Sequence, residues 1–152
     1  MTEPKHTVYH SSILDADPDT VWSQVRDMMA LLPMVFGDAI ENHHWVDGGS
    51  VDKVPSRFEF TLLPGGDVAL EEVVGRSETA RSVTYRSVGQ VLSIVDYLAT
   101  YRVLPITNEP GRSFIDWSRE FRVVEGADPE FLPFLLGLIE QEINTVKAHF
   151  AA

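Results

Sequence analysis

The sequence predicts an α+β fold: a curved, seven-stranded antiparallel sheet wrapped around a long C-terminal helix, with two short helices after the first strand. Three observations lead there. Residues 39–124 form a run of β-rich segments divided by short turns; the helix-start signal Asp17-Pro18-Asp19 precedes that run; and the tail from Asp128 carries apolar residues at helical spacing.

Residues 6–14 (HTVYHSSIL) mix β-branched and aromatic residues with polar ones and read as the first strand. Asp17 can then cap a helix, Pro18 suits its first position and Asp19 favours its positive dipole end. Val21, Val25, Met28, Met29 and Leu32 follow at helical spacing, and Pro33 and Gly37 stop the helix or divide it into shorter ones. Segments 40–47, 51–63, 67–76, 81–88, 91–104 and 112–124 are rich in Val, Ile, Thr, Tyr and Phe. Turns such as Asp47-Gly48-Gly49, Pro64-Gly65-Gly66-Asp67 and Gly89-Gln90 join them, which implies hairpin after hairpin. In the tail, Pro133 moves the expected helix start to near Leu132, because a proline inside a helix costs ~3 kcal/mol. Leu135, Leu138, Ile139, Ile143, Val146 and Phe150 form its apolar stripe, and Lys147 and His149 suit its negative end. A sheet this wide is hard for one helix to cover, so an internal cavity is expected.

Composition narrows the class. A chain of 152 residues fits one domain, residues 1–152, and 44% hydrophobic with 23% charged residues is a globular balance. Cys is absent, which removes disulfides, thiolate metal sites and cysteine nucleophiles together. A formal net charge of −11 repels phosphate backbones and anionic lipid, arguing against nucleic-acid and membrane-surface roles. The opening residues MTEPKHT hold no apolar stretch of the signal-peptide kind, and the most apolar segment, Phe131 to Ile139, is broken by Pro133 and Gly137. It falls far short of the about 20 residues of a membrane span. A cytoplasmic protein, monomeric or homodimeric, is expected.

Several segments resemble the START-type helix-grip superfamily of birch pollen allergen (SRPBCC), in its polyketide cyclase/dehydrase-like branch. Ile13-Leu14-Asp15-Ala16-Asp17-Pro18-Asp19-Thr20-Val21-Trp22 is similar to the family's strand-to-helix opening. Glu71-Glu72-Val73-Val74 and Arg81-Ser82-Val83-Thr84-Tyr85 resemble its Glu-bearing and Tyr-bearing strands. Asp96-Tyr97 with Thr100, Val103 and Pro105 resembles its Asn-Tyr strand, with Asp where Asn is commoner. Ser113 to Ser118 with Phe121 resembles the last strand, and Ile143 to Lys147 the end of the gripping helix. The match covers roughly residues 8–150. It implies a helix-grip fold with a buried, mostly apolar ligand cavity between sheet and helix; members carry lipids, sense plant hormones, or cyclise and dehydrate polyketides.

Candidate ligand-binding residues come from the resemblance and from strand alternation together. Glu71 lies where the family often has a cavity carboxylate; the other reading is a solvated strand residue beside Glu72. Tyr85 and Ser87 should share a face, as should Tyr97, Ala99 and Tyr101, and tyrosines suit an apolar cavity needing a few hydrogen bonds. For Asp116 the two arguments conflict: alternation with Ile115, Trp117, Phe121 and Val123 puts it outside, and the resemblance puts it inside. Glu142 interrupts the apolar stripe of Leu135, Leu138, Ile139 and Val146, either as a cavity residue or at the stripe's margin. Neither a metal nor another cofactor is expected. Adjacent His43 and His44 point to opposite faces of a strand, and His6 and His10 lack a third ligand. The Gly-rich turns join strand to strand and no G-x-S-x-G elbow is present.

The leading expectation is binding of a small hydrophobic or aromatic molecule in the cavity, where a buried acid would prefer a basic or hydroxylated compound over a carboxylate. The alternatives are a cofactor-independent polyketide-type cyclase or dehydratase, using Glu71 or Asp116 with Tyr97 or Tyr85, and a protein-interaction module.

Overall fold

The computed structural model describes residues 4–152. Its elements run β1 (Lys5–Leu14), α1 (Pro18–Val25), α2 (Met28–Phe36), a 3-10 turn (Gly37–Ala39), β2 (Ile40–Val46), β3 (Ser56–Leu62), β4 (Val68–Ser77), β5 (Ser82–Ser87), β6 (Ile94–Pro105), β7 (Ser113–Val123) and α3 (Phe131–His149). The seven strands form one open sheet in the order β1-β7-β6-β5-β4-β3-β2, every pair antiparallel. Only β1 pairs with a strand distant in sequence, so α1 and α2 carry the chain from one sheet edge to the other. This is the α+β helix-grip arrangement.

Local chemistry explains where the elements depart from the sequence reading. The break between the short helices falls at Arg26–Asp27 and not at Pro33, because Asp27 accepts the Met29 N–H and caps a new helix. Pro33 lies inside α2, which ends at Gly37 with φ 53°. Residues 51–55 are a turn: Pro55 cannot donate to a ladder, and the Ser56 hydroxyl closes the loop by donating to the Lys53 carbonyl at 2.6 Å. The last helix starts at Phe131, with Pro133 in its first turn, where a backbone N–H has no intrahelical acceptor in any case.

The inward faces obey strand alternation. Phe58 and Phe60 of β3, Ala69, Glu71 and Val73 of β4, and Val83, Tyr85 and Ser87 of β5 are all buried. On β6 and β7 the series is Ala99, Tyr101, Val103 and Ile115, Trp117, Arg119, Phe121. A bulge in β6 breaks the alternation. Val95 pairs with Arg122 and Leu98 with Glu120, so β6 carries an extra residue there, and Asp96 takes a φ of 54°, a region Asp tolerates better than most residues. The phase shift brings Ile94 and Tyr97, three residues apart, to the same cavity.

Helix α3 lies over the concave face with Leu135, Ile139, Ile143 and Val146 buried, packing also on α2 and β1. Two apolar clusters flank its length. A large one joins α1, α2, the middle strands and the end of α3, and a smaller one joins Ile94 and Phe121 to Leu135 and Ile139. The Tyr101 hydroxyl donates to the Val25 carbonyl at the end of α1, where helix carbonyls lack intrahelical donors. Among the described residues, no helix is long and apolar enough to cross a membrane.

Gly137 sits mid-helix on the exposed side of α3, and a Cβ there would meet nothing within 4 Å. Gly137→Ala should therefore stabilise the protein by roughly 0.5–1 kcal/mol through helix propensity, read as a shifted urea midpoint at unchanged slope.

Candidate functional site

Sheet, α2 and α3 line a half-open cavity of about 110 Å³. An apolar protein cavity of roughly 150 Å³ accommodates benzene, so this space has the scale of one small ring. Its walls are apolar on three sides. Helix α2, nine residues without a charge, contributes Met28, Leu31, Leu32, Val35 and Phe36; α3 contributes Leu135, Leu138 and Ile139; the β5–β6 connection contributes Val91 and Leu92.

The polar groups gather where β4, β5 and β6 face α3. Glu71 of β4 stands opposite Ser87 of β5 in the ladder and is 8% exposed. Tyr85 and Tyr97 hold their hydroxyls 3.5 Å apart, and the Trp117 Nε1–H donates to the Tyr85 hydroxyl at 3.2 Å. Ser87 Oγ accepts the Tyr97 backbone N–H at 3.3 Å, tying β5 to the bulged part of β6. Behind them, Arg119 Nη1 donates to Glu142 Oε2 at 2.9 Å, and the guanidinium lies 4.2 Å from the centre of the Trp117 ring. No hydrogen bond among the described residues reaches the Glu71 carboxyl.

Electrostatics separate the two acids. Arg119 cannot give up its proton at ordinary pH, and a buried cation demands a countercharge, so Glu142 is its ionised partner. Burial pushes the Glu142 carboxyl above its ordinary value, while the charge of Arg119 and its hydrogen bond pull it back. Burial also opposes the charge of Arg119, but the Glu142 carboxylate and its hydrogen bond counter it, and the guanidinium stays protonated. Glu71 is pushed up to about 8, first by burial and then by the negative charge of Glu142, with Arg119 opposing. Burial likewise raises both phenols, so Tyr85 and Tyr97 stay neutral and can donate.

Of the residues named from sequence, the structure brings Glu71, Tyr85, Ser87, Tyr97, Leu138 and Glu142 together around the cavity. It does not bring the other three. Tyr101 and Ala99 share the inward face, but Tyr101 is turned to α1 by its bond to Val25, and Ala99 is covered within the main core. Asp116 lies on the outer face, in agreement with alternation and against the resemblance. Arg102 Nε donates to both its oxygens at 2.9 and 3.0 Å, and the Tyr9 hydroxyl donates at 3.1 Å; these side chains, and not the cavity, bury it. Sequence reading missed Arg119, although its signal was present: it occupies the inward phase of Ile115-Trp117-Phe121. It also missed the cavity face of α2, whose unbroken apolarity is the mark of a helix buried on more than one side.

The fold and this site define a helix-grip protein with a cavity between sheet and helices. The chain belongs to the polyketide cyclase / dehydrase and lipid transport family, whose model matches residues 5–151. No curated protein matches the chain significantly. Similar solved structures include an uncharacterised protein from Bacillus thuringiensis, with a TM-score of 0.77 and 20% identity over 95% of this chain and 98% of that one. A protein from Nitrosospira multiformis reaches a TM-score of 0.76 and 22% identity over 97% of each chain. Norcoclaurine synthase from Thalictrum flavum, in complex with dopamine and hydroxybenzaldehyde, gives 0.68 and 17% over 96% of this chain and 86% of that one. At such identities the likeness shows the fold alone.

Two stability measurements probe the site. Glu142→Leu strands the Arg119 charge and should cost about 3–5 kcal/mol in urea melts, most of it recovered in the double variant with Arg119→Met. Glu71 acts through pH. Between about 4.5 and about 8 the unfolded chain has lost a proton that the native protein keeps, so this group makes stability fall with pH. The fall should be roughly 1.4 kcal/mol per unit across that window. Glu71→Gln should match the wild type near the bottom of the window and grow steadily more stable than it towards the top.

Proposed function

We propose that the protein binds a small, mostly apolar or aromatic molecule in the cavity between sheet, α2 and α3. The observation that carries this reading is the cavity's division: apolar walls on three sides, and at one end a group of polar side chains whose hydrogen-bonding capacity is only partly used. Burying a ring in such a space contributes about 25 cal/mol per Å² of apolar surface, and the polar end orients it. The family description, which joins lipid transport to cyclase and dehydrase chemistry, supports a ligand of this kind. So does norcoclaurine synthase, whose complex in the same fold holds two single-ring aromatic compounds.

A second reading, a cyclase or dehydratase, draws support from the unpartnered Glu71 carboxyl beside two phenols. An acid that keeps its proton near neutral pH can deliver it to a leaving hydroxyl, and a phenol can polarise a carbonyl. On that reading Glu71→Gln retains binding and loses turnover; on the binding reading there is no turnover to lose.

Native mass spectrometry of protein purified from its own host should show a retained small molecule. Leu138→Trp, at a half-buried lining position on α3, should fill the space and weaken uptake of a one-ring probe at least about tenfold with the fold intact. An empty native protein whose thermal midpoint ignores every one-ring probe overturns the reading.

A further inference from the structure

We propose that Glu71 sets the class of ligand: its carboxylic acid O–H donates to a carbonyl or other acceptor oxygen of an uncharged molecule, and the cavity turns away carboxylates and ammonium ions. This rests on the cavity-binding reading above. The geometry begins with partner counting. Arg119 does not line the cavity: its Nη1 bond and its charge are given to Glu142, and its Nε, buried without a hydrogen-bond partner, is held behind the lining side chains, so an entering carboxylate finds that charge already matched. The same carboxylate would be brought beside the Glu142 charge.

The groups that remain are mainly donors. The Glu71 carboxyl faces the cavity without a partner. Ser87 Oγ accepts the Tyr97 N–H, which leaves its own proton unused. Tyr85 already accepts from Trp117, and the pair Tyr85–Tyr97 uses at most one of its two phenolic protons internally. An acceptor oxygen placed among them is met by a carboxylic acid, a phenol and a serine hydroxyl at once. An ammonium ion must lose its water, can pair with Glu71 only once that acid has released its proton to solvent, and sits against walls that are otherwise apolar.

The titratable and charged groups facing Glu71 are Tyr85 on β5, Tyr97 on β6, Arg119 on β7 and Glu142 on α3; from β3 and α2 it meets only apolar side chains. Burial and the Glu142 charge keep the proton on Glu71 up to about pH 8. A ligand that needs this proton therefore loses affinity above that pH, whereas a ligand that needs the carboxylate gains.

The experiment is a chemical-shift titration of the intact protein with four one-ring probes: toluene, acetophenone, benzylamine and benzoate. At neutral pH acetophenone should bind at least about tenfold more tightly than toluene, and benzylamine and benzoate more weakly than either. Raising the pH from 7 to 9.5 should weaken acetophenone roughly thirtyfold in the wild type, as expected for loss of one proton from a group titrating near 8. Toluene should be unaffected. Glu71→Gln, which keeps an N–H donor but has no proton to lose, should bind acetophenone with no such pH dependence, and circular dichroism checks its fold. If that variant does not fold, the differing pH responses of acetophenone and toluene in the wild type still decide the matter. Equal binding of toluene and acetophenone, or benzylamine as the tightest probe with affinity rising towards high pH, overturns the Glu71 assignment and leaves the cavity reading standing. Binding of none of the four overturns both.

Discussion

A guanidinium buried between a sheet and a helix has to be matched by a negative charge, and that demand organises this molecule. Arg119 occupies an inward position on β7 at 3% exposure, between Trp117 and Phe121. It cannot escape by losing its proton, and β7 offers no acid on the same face. The matching charge comes from α3, where Glu142 is the buried acid and Glu140 faces outward. Pairing Arg119 with Glu142 sets the rotation of α3 on the sheet, since a helix turned by one residue would bring a different side chain to the guanidinium. With Glu142 inside, Ile139, Leu138 and Leu135 come one and two turns back and form the roof of the cavity. The ion pair adds less to net stability than its short contact suggests; its larger effect is on which helix face meets the sheet.

The same pairing decides the chemistry at the cavity's polar end. One cation serves two buried carboxyls, Glu142 and Glu71, and the hydrogen bond goes to Glu142. Glu71 is left in low dielectric with a negative neighbour and no donor of its own, so its neutral form is favoured. Moving or removing Arg119 would leave both acids without a cation. The protonation of a β4 side chain thus depends on a β7 residue that makes no hydrogen bond to it.

Most of the fold was legible in the sequence because its signals are local: turn residues between β-rich segments, an N-capping Asp17 followed by Pro18, and a helical stripe from Leu135 to Phe150. What escaped depends on neighbours far away in the chain or on competition between local signals. An N-cap competed with a proline for the helix break, and Asp27 won because its side chain satisfies a backbone donor. Alternation put Tyr97, Ala99 and Tyr101 on one face correctly, yet only the approach of α1 shows that the Tyr101 hydroxyl is taken by Val25. Asp116 shows the reverse case, in which elementary periodicity was the better guide and the resemblance the worse one, as its pairing with Arg102 on the outer face makes plain. The bulge at Asp96 left a faint trace: an Asp tolerates the left-handed backbone there, but nothing in the sequence says that a bulge is needed.

A cavity in a packed protein is ordinarily unfavourable, since the atoms lining it lose contacts that collapse would restore. Here the walls are not free to close. Trp117, Tyr85 and Tyr97 form a chain of rings tied by their polar atoms, and a ring that swung into the space would give up a buried hydrogen bond. Tyr97 is further held by the Ser87 bond to its backbone, and Tyr85 by edge-to-face packing on Tyr101. Collapse from the helix side would press Leu135, Leu138 and Ile139 onto the Glu71 carboxyl, trading its exposure to the cavity for contact with groups that cannot bond it. The polar atoms at one end of the cavity therefore hold it open, and a ligand that satisfies them is opposed by little rearrangement of the walls.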